Sequence, residues 1–123
     1  MATPVISVVD DDHSVRESLA RLIRSVGFGV QEFGSAEEFL AATHGRKSDC
    51  LILDIRMPGM NGLELQRELS ATDCGLPVIF ITAHGSDEEV RSRALGAGAV
   101  DYLLKPLREE EVLRAIDAAL SSK

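Results

Sequence analysis

Four short apolar runs each stop at a polar residue of a different kind: VVDDD at Asp10, Asp11 and Asp12, LILD at Asp54, VIFIT at Thr82 and YLLKP at Lys105. Brought onto one rim, the acids, the hydroxyl and the ammonium would bind a divalent cation and accept a phosphoryl group. Carboxylates within about 4 Å of one another repel by roughly 4 kcal/mol per pair at an effective dielectric near 20, so such a cluster demands shared protons or a counter-ion. All-oxygen ligands favour a hard cation, and few carboxylates with room for waters suit Mg²⁺ better than Ca²⁺. Lys105 would add a second positive charge. Taken singly, each of these residues is also an ordinary strand terminator or helix cap, and Asp12 is read that way, as a cap of the first helix. The four ends taken together are poorly explained by capping.

Convergence on one rim requires parallel strands. Runs of apolar, largely β-branched residues at Val5 to Val9, Gly29 to Phe33, Cys50 to Leu53, Val78 to Ile81 and Val100 to Leu104 alternate with segments of helical period. That alternation predicts five βα units and a sheet covered on both faces. Val15, Leu19, Leu22, Ile23 and Val26 share one helical face, with Gly27 as a C′ cap. Ser35 with Glu38, Asn61 with Glu64 and Ser86 with Glu89 carry capping-box spacing, so helices are expected to begin near residues 35, 61 and 86. Gly45, Gly75 and Gly98 stand where those helices should end, and a last helix is expected from Glu109 to Ser121. The alternating GVQEF suits a sheet edge.

The fold class that follows is α/β, a (βα)5 doubly wound parallel sheet of flavodoxin-like type. Right-handed crossovers leave few ways to wind it, and in the order 2-1-3-4-5 strands one and three are neighbours across the switch point where ligands bind. Asp10, Asp11 and Asp54 would then face one another.

Composition narrows the functional classes. The 123 residues make one domain, 1–123, with an ordinary apolar share of 45%. A net charge of −7 argues against nucleic-acid binding by this domain itself, since phosphate neutralisation needs clustered Lys and Arg. No apolar run approaches a membrane span, and the N-terminus lacks the basic start of a signal peptide, so the expected location is cytoplasmic. Cys50 and Cys74 fit no metal spacing and are read as reduced structural residues.

VVDDDHSVRESL, LILDIRMPGMNGLEL, VIFITAHG and AVDYLLKPL, in this order and at these separations, resemble the receiver domains of bacterial two-component response regulators. The resemblance covers essentially the whole chain and is strongest to the FixJ-like class, which joins a receiver to a helix-turn-helix output. It implies a CheY-like fold and Asp54 as phosphoacceptor, taking its phosphoryl group from a sensor histidine kinase or a small phosphodonor. Asp11 would ligate Mg²⁺ directly and Asp10 largely through water, with Asp54 and the Arg56 main-chain carbonyl completing the protein's share; Mn²⁺ is the expected substitute. Thr82 would hydrogen-bond one phosphoryl oxygen and Lys105 would pair with another. The Lys105-Pro106 bond resembles the family's cis peptide, and Pro58-Gly59 its loop after the phosphoacceptor. Arg56 and His84 sit where the family tunes phosphoryl lifetime; a solvated loop histidine is the plain alternative for His84.

The resemblance further implies a switch. Thr82 would move toward the phosphoryl group and Tyr102 would rotate inward behind it, remodelling the face of helix four, strand five and helix five. That face would then form a homodimer or release an output domain, expected to be a transcriptional, DNA-binding one beyond this chain. The chain would catalyse nothing beyond its own phosphorylation and dephosphorylation. Three other readings remain open on the residues. A haloacid-dehalogenase-type enzyme would want a D-x-D nucleophile strand, whereas IRM follows Asp54. A flavodoxin-like FMN binder would want a Ser/Thr-rich phosphate loop and a stacking Trp, and a pseudo-receiver would lack a site residue.

Overall fold

The computed structural model describes residues 3–42, 48–72, 75–83 and 88–121. Along the chain run β1 (Val5–Val9), α1 (His13–Ser25), β2 (Gly29–Phe33), α2 (Ala36–Ala42), β3 (Cys50–Asp54), α3 (Gly62–Thr72), β4 (Val78–Thr82), α4 (Glu88–Gly96), β5 (Asp101–Leu104) and α5 (Glu109–Ser121). The five strands form one sheet in the order β2-β1-β3-β4-β5. Every neighbouring pair is parallel. The expected α/β architecture and strand order are therefore those of the molecule.

The central strands β1, β3 and β4 are largely apolar because each buries both faces. On one face Ile6, Val8, Ile52, Ile79, Ile81 and Leu103 pack against Leu19 and Ile23 of α1 and Val112 and Ile116 of α5. On the other, Val9, Leu51, Leu53, Phe80 and Tyr102 pack against Phe39 of α2, Leu65 and Leu69 of α3 and Ala94 of α4. Successive side chains point to opposite faces, so neighbours such as Val8 and Val9 serve different cores. β2 lies at the sheet edge and is only partly covered, as its alternating sequence requires.

Strand bounds match the sequence reading for β1 and β2, and differ by one residue elsewhere. β3 and β4 each run one residue further, through Asp54 and Thr82, because ladder bonds are made by the main chain: Asp54 pairs with Ile81 and Thr82 with Leu104. β5 starts at Asp101 instead of Val100, although the Val100 N–H still donates to the Val78 carbonyl at 2.8 Å.

The caps are built as the sequence suggests, with one variation. Asn61 and Glu64 exchange reciprocal bonds of 2.9 Å at the start of α3. At α2, Ser35 Oγ accepts the Glu38 N–H at 3.1 Å, but the Glu38 carboxylate reaches back to the Gly34 N–H, one residue earlier than a standard box. At the end of α1, the Gly27 and Phe28 N–H groups donate to the Arg24 and Ile23 carbonyls, a Schellman motif closed by Phe28 packing on the same core as Ile23. α3 stops at Thr72, ahead of Gly75. Gly45, Cys74 and Ser86 lie outside the described residues.

Gly62 positions α3 against the sheet. Its N–H donates to the Ile55 carbonyl at 2.9 Å, and a Cβ there would lie 2.5 Å from the Asp54 carbonyl oxygen and 2.9 Å from the Ile55 Cα. Both clashes are with main chain at the end of a central strand, so neither yields cheaply. We expect Gly62→Ala to lower stability by about 2 kcal/mol, the scale of overpacking in a tight core, read as a lower urea midpoint at unchanged slope. A midpoint equal to wild type would mean that α3 shifts freely.

Candidate functional site

The register of β1 and β3, Val9 beside Leu53, sets the next residue of each strand side by side at the carboxyl edge of the sheet. Those residues are Asp10 and Asp54. Asp10 is completely buried, Asp54 is 4% exposed, and the neighbouring Asp11 is exposed. One carboxylate oxygen from each of the three lies within 4.8 Å of the others, a set that could bind a metal ion. Three hard oxygen donors, two of them facing away from bulk water, fit a divalent cation better than they fit any soft metal.

Asp10 is held at every polar atom. Its N–H donates to the Phe33 carbonyl at 3.1 Å, and Oδ1 accepts the Asp12 N–H at 2.8 Å. Oδ2 lies 2.9 Å from Lys105 Nζ, and the main-chain carbonyl accepts Arg16 Nη1 at 2.7 Å. Asp54 is held more loosely. Its Oδ2 lies 3.5 Å from Lys105 Nζ and its Oδ1 takes a long 3.4 Å bond from the Arg56 N–H. Asp12 stays outside the cluster, its Oδ1 accepting from Ser14 and Val15 as the N-cap of α1.

Lys105 arrives from the end of β5. Its N–H donates to the Thr82 carbonyl at 2.8 Å, which continues the β4–β5 ladder, and the Lys105-Pro106 peptide is cis. Thr82, 2% exposed, ends β4 on the same edge, and Tyr102 is buried two residues before Leu104, which is 48% exposed. The structure thus brings Asp10, Asp11, Asp54, Thr82 and Lys105 to one edge. Arg56 stands exposed just after β3, while His84 lies outside the described residues.

Electrostatics at this edge are frustrated without a cation. Burial, then the charge of Asp10, pushes the Asp54 carboxyl up to about 6, against the pull of Lys105 and the Arg56 N–H. Burial alone would weaken the Lys105 ammonium, but its hydrogen bond to Asp10 and the charges of Asp54 and Asp10 outweigh this and hold its pKa above the usual lysine value. A cation between the carboxylates would relieve the repulsion.

Three residues that sequence reasoning did not single out shape the site: Gly62, Arg16 and Glu37. Gly62 and Arg16 are described above. Glu37 Oε2, on α2, accepts the Met60 N–H at 3.0 Å across 23 residues of sequence, and that bond pulls its carboxyl below the usual range. Gly59, at φ 74°, passes so close that a Cβ would lie 2.8 Å from the same oxygen. The loop after Asp54 is therefore tied to α2. Ser7, fully buried in β1, bonds Ser48 side chain to side chain. Only the Pro58-Gly59 turn pair and the Asn61-Gly62 step gave any local hint of these ties.

Comparison with known proteins agrees with this geometry. A family model described as response regulator receiver domain matches residues 6–117. Nodulation protein W of Bradyrhizobium diazoefficiens is 49% identical over 115 residues, 94% of this chain and 50% of that protein. The response regulator protein TodT of Pseudomonas putida is 49% identical over 116 residues, 94% of this chain and 51% of TodT. Among solved structures, the response regulator StyR superposes with a TM-score of 0.87 at 49% identity, covering 98% of this chain and 60% of StyR. FixJ-N superposes at 0.88 with 39% identity, covering 98% of this chain and 96% of that one. The chain spans about half the length of the curated relatives it matches. Among the described residues, no helix is long and apolar enough to cross a membrane.

The raised Asp54 carboxyl makes a prediction about stability. An acid that titrates near 6 when folded and near 3.8 when unfolded binds its proton more tightly in the folded state. Stability therefore falls as pH rises from about 4 to 6, and the penalty is complete above 6. Asp54→Asn should be more stable than wild type at pH 7.5 without divalent metal, by roughly 1–2 kcal/mol, and the advantage should shrink toward pH 4. Urea midpoints measured across that range check it; an Asn variant less stable than wild type at pH 7.5 would contradict the assigned repulsion.

Proposed function

The chain belongs to the response regulator receiver domain family, and on that premise we propose that residues 1–123 form one phosphorylation-activated switch with Asp54 as its phosphoacceptor. The observation that carries the proposal is the placement of Asp54: at the carboxyl end of the central strand, nearly buried, beside the Asp10 carboxylate and 3.5 Å from the Lys105 ammonium that both carboxylates share. The donor is a phosphohistidine of a sensor kinase or a small acyl phosphate.

A carboxylate oxygen of Asp54 attacks phosphorus in line, the donor's bond to phosphorus (P–N in a phosphohistidine, P–O in an acyl phosphate) breaks with its electron pair on the leaving group, and an aspartyl phosphate results. Phosphoryl transfer of this kind gains chiefly from positioning and from positive charge on the equatorial oxygens. Asp10, Asp11 and Asp54 would hold Mg²⁺, or Mn²⁺ in its place, together with the Arg56 carbonyl; the cation supplies charge neutralisation at the phosphoryl oxygens. Asp10 has both carboxylate oxygens engaged by Asp12 and Lys105, which supports an action through water, while the exposed Asp11 is free to ligate directly. Lys105 is already within 3.5 Å of Asp54, so it transfers its charge to a phosphoryl oxygen with a small movement. The Thr82 hydroxyl bonds a second oxygen. Arg56 and His84 set how readily water reaches the phosphoryl group. Outside this self-directed chemistry the domain turns over no substrate.

Readout runs through the face of α4, β5 and α5. A cavity of about 530 Å³ joins Lys105 to Arg91, Tyr102, Leu104 and Arg108 on that face. The phosphoryl group carries about −1.5 to −2 charges in place of the single charge of the Asp54 carboxylate, and drawing Thr82 and Lys105 toward it leaves Tyr102 to settle behind Thr82. The altered face pairs with a second copy or controls a DNA-binding output domain, in the cytoplasm, with no nucleic-acid contact by this domain.

Acetyl phosphate with Mg²⁺ should add one phosphoryl group to wild type and none to Asp54→Asn by intact mass; equal labelling would falsify the assignment. Lys105→Ala should still bind Mg²⁺ yet fail to dimerise with beryllofluoride, and wild-type dimerisation in that variant would count against the role of Lys105.

A further inference from the structure

We propose that Arg16 is a positioning residue for the cation site, fixing the Asp10-Asp11 main chain from behind; the proposal rests on the assignment of Asp10, Asp11 and Asp54 as metal ligands. Arg16 lies in the first turn of α1. Cations are disfavoured there by the helix dipole, and no acidic residue occupies that turn, so the local helix gives no reason for an arginine. The side chain nevertheless folds back to only 18% exposure.

Its contacts explain the position. Nη1 donates to the Asp10 carbonyl at 2.7 Å, Nη2 lies 3.2 Å from His13 Nδ1, and Nε lies 3.9 Å from Glu32 Oε1 on the edge strand β2. Gly34 opposes it without a side chain; a Cβ there would sit 3.5 Å from Nη1. The Asp10 carbonyl lies past the last ladder pair of β1, where no neighbouring strand reaches it. Arg16 supplies the bond that the sheet does not, and the peptide it holds is the one that aims the Asp11 carboxylate.

Charge and position make opposite predictions here. As a bare positive charge near three carboxylates, Arg16 would weaken cation binding, and removing it would tighten the site. As a donor to the Asp10 carbonyl, it pre-sets the ligands, and removing it weakens the site by about tenfold, the lower end of what outer partners of metal ligands contribute. Arg16→Met keeps the aliphatic stem and loses every donor. We expect it to bind Mg²⁺ about tenfold more weakly by calorimetry. In the metal-free protein, the Asp12 amide, bonded to Asp10 Oδ1 at 2.8 Å, should exchange its hydrogen faster. Arg16→Lys, with the charge and one donor, should recover part of both.

Unchanged or tighter Mg²⁺ binding by Arg16→Met would overturn the proposal. If that variant folds too poorly to titrate, Arg16→Gln is measured in its place and judged by the same outcomes. Wild type that binds no Mg²⁺ would instead sink the metal assignment itself, which separates the two failures.

Discussion

Two carboxylates are held out of water at adjacent strand ends, and the rest of the structure is arranged around that cost. Asp10 and Asp54 face each other because the β1–β3 register leaves no alternative. Their repulsion is offset by the Lys105 ammonium, with the Asp12 and Arg56 N–H groups donating to one oxygen of each. A hydrophobic pair in the same place would stabilise the domain and could receive nothing. The central strands beneath tolerate the cost because they are largely apolar and covered on both faces, with Ile6, Val8, Leu51, Ile52, Leu53, Ile79, Phe80 and Ile81 all essentially buried.

This frustration is what makes the site responsive. A carboxylate raised to about 6 in the absence of metal is a group whose ionised form is held unfavourably, so any added positive charge is strongly welcomed. In the proposed function, phosphorylation would then replace one negative charge by more, spread over oxygens that Lys105 and Thr82 could meet. Moving a two-state element from 1:99 to 99:1 takes about 5.5 kcal/mol, within reach of a few charge-assisted hydrogen bonds formed in one state and not the other. The relay to the surface is short: Lys105 follows Leu104, and Tyr102 lies two residues earlier in the same strand.

Much of this was legible in the sequence, and the reason is that strand ends are local. A run of β-branched residues stopping at a polar one marks both the strand and the edge on which its last side chain lies. That is why Asp10, Asp54, Thr82 and Lys105 could be placed together before any coordinates. The one-residue extension of β3 and β4 was missed because the rule reads side chains, whereas the ladder continues through the main chain of Asp54 and Thr82. Arg16, Glu37, Ser7 and Gly62 were illegible for a different cause. Each acts on a partner supplied by another segment: the Asp10 carbonyl, the Met60 amide, the Ser48 hydroxyl and the main chain of Asp54 and Ile55. No periodicity or capping signal encodes such a partner.

Three of these ties, those of Arg16, Glu37 and Gly62, share a logic. None supplies a proposed ligand; each fixes a stretch of main chain beside the site. The loop after Asp54 is fastened at one end by the Gly62 N–H on the Ile55 carbonyl and at the other by Glu37 on Met60, so the Arg56 carbonyl between them has little freedom. The corner after β1 is fastened by Arg16. Loops normally carry function at the expense of order. Here the two loops that bear the proposed chemistry are anchored to α1 and α2, neither of which belongs to the α4-β5-α5 face, so that face could shift while the site stays fixed. Holding one side rigid would let the proposed displacement of Thr82 and Lys105 be transmitted to the other instead of being absorbed locally.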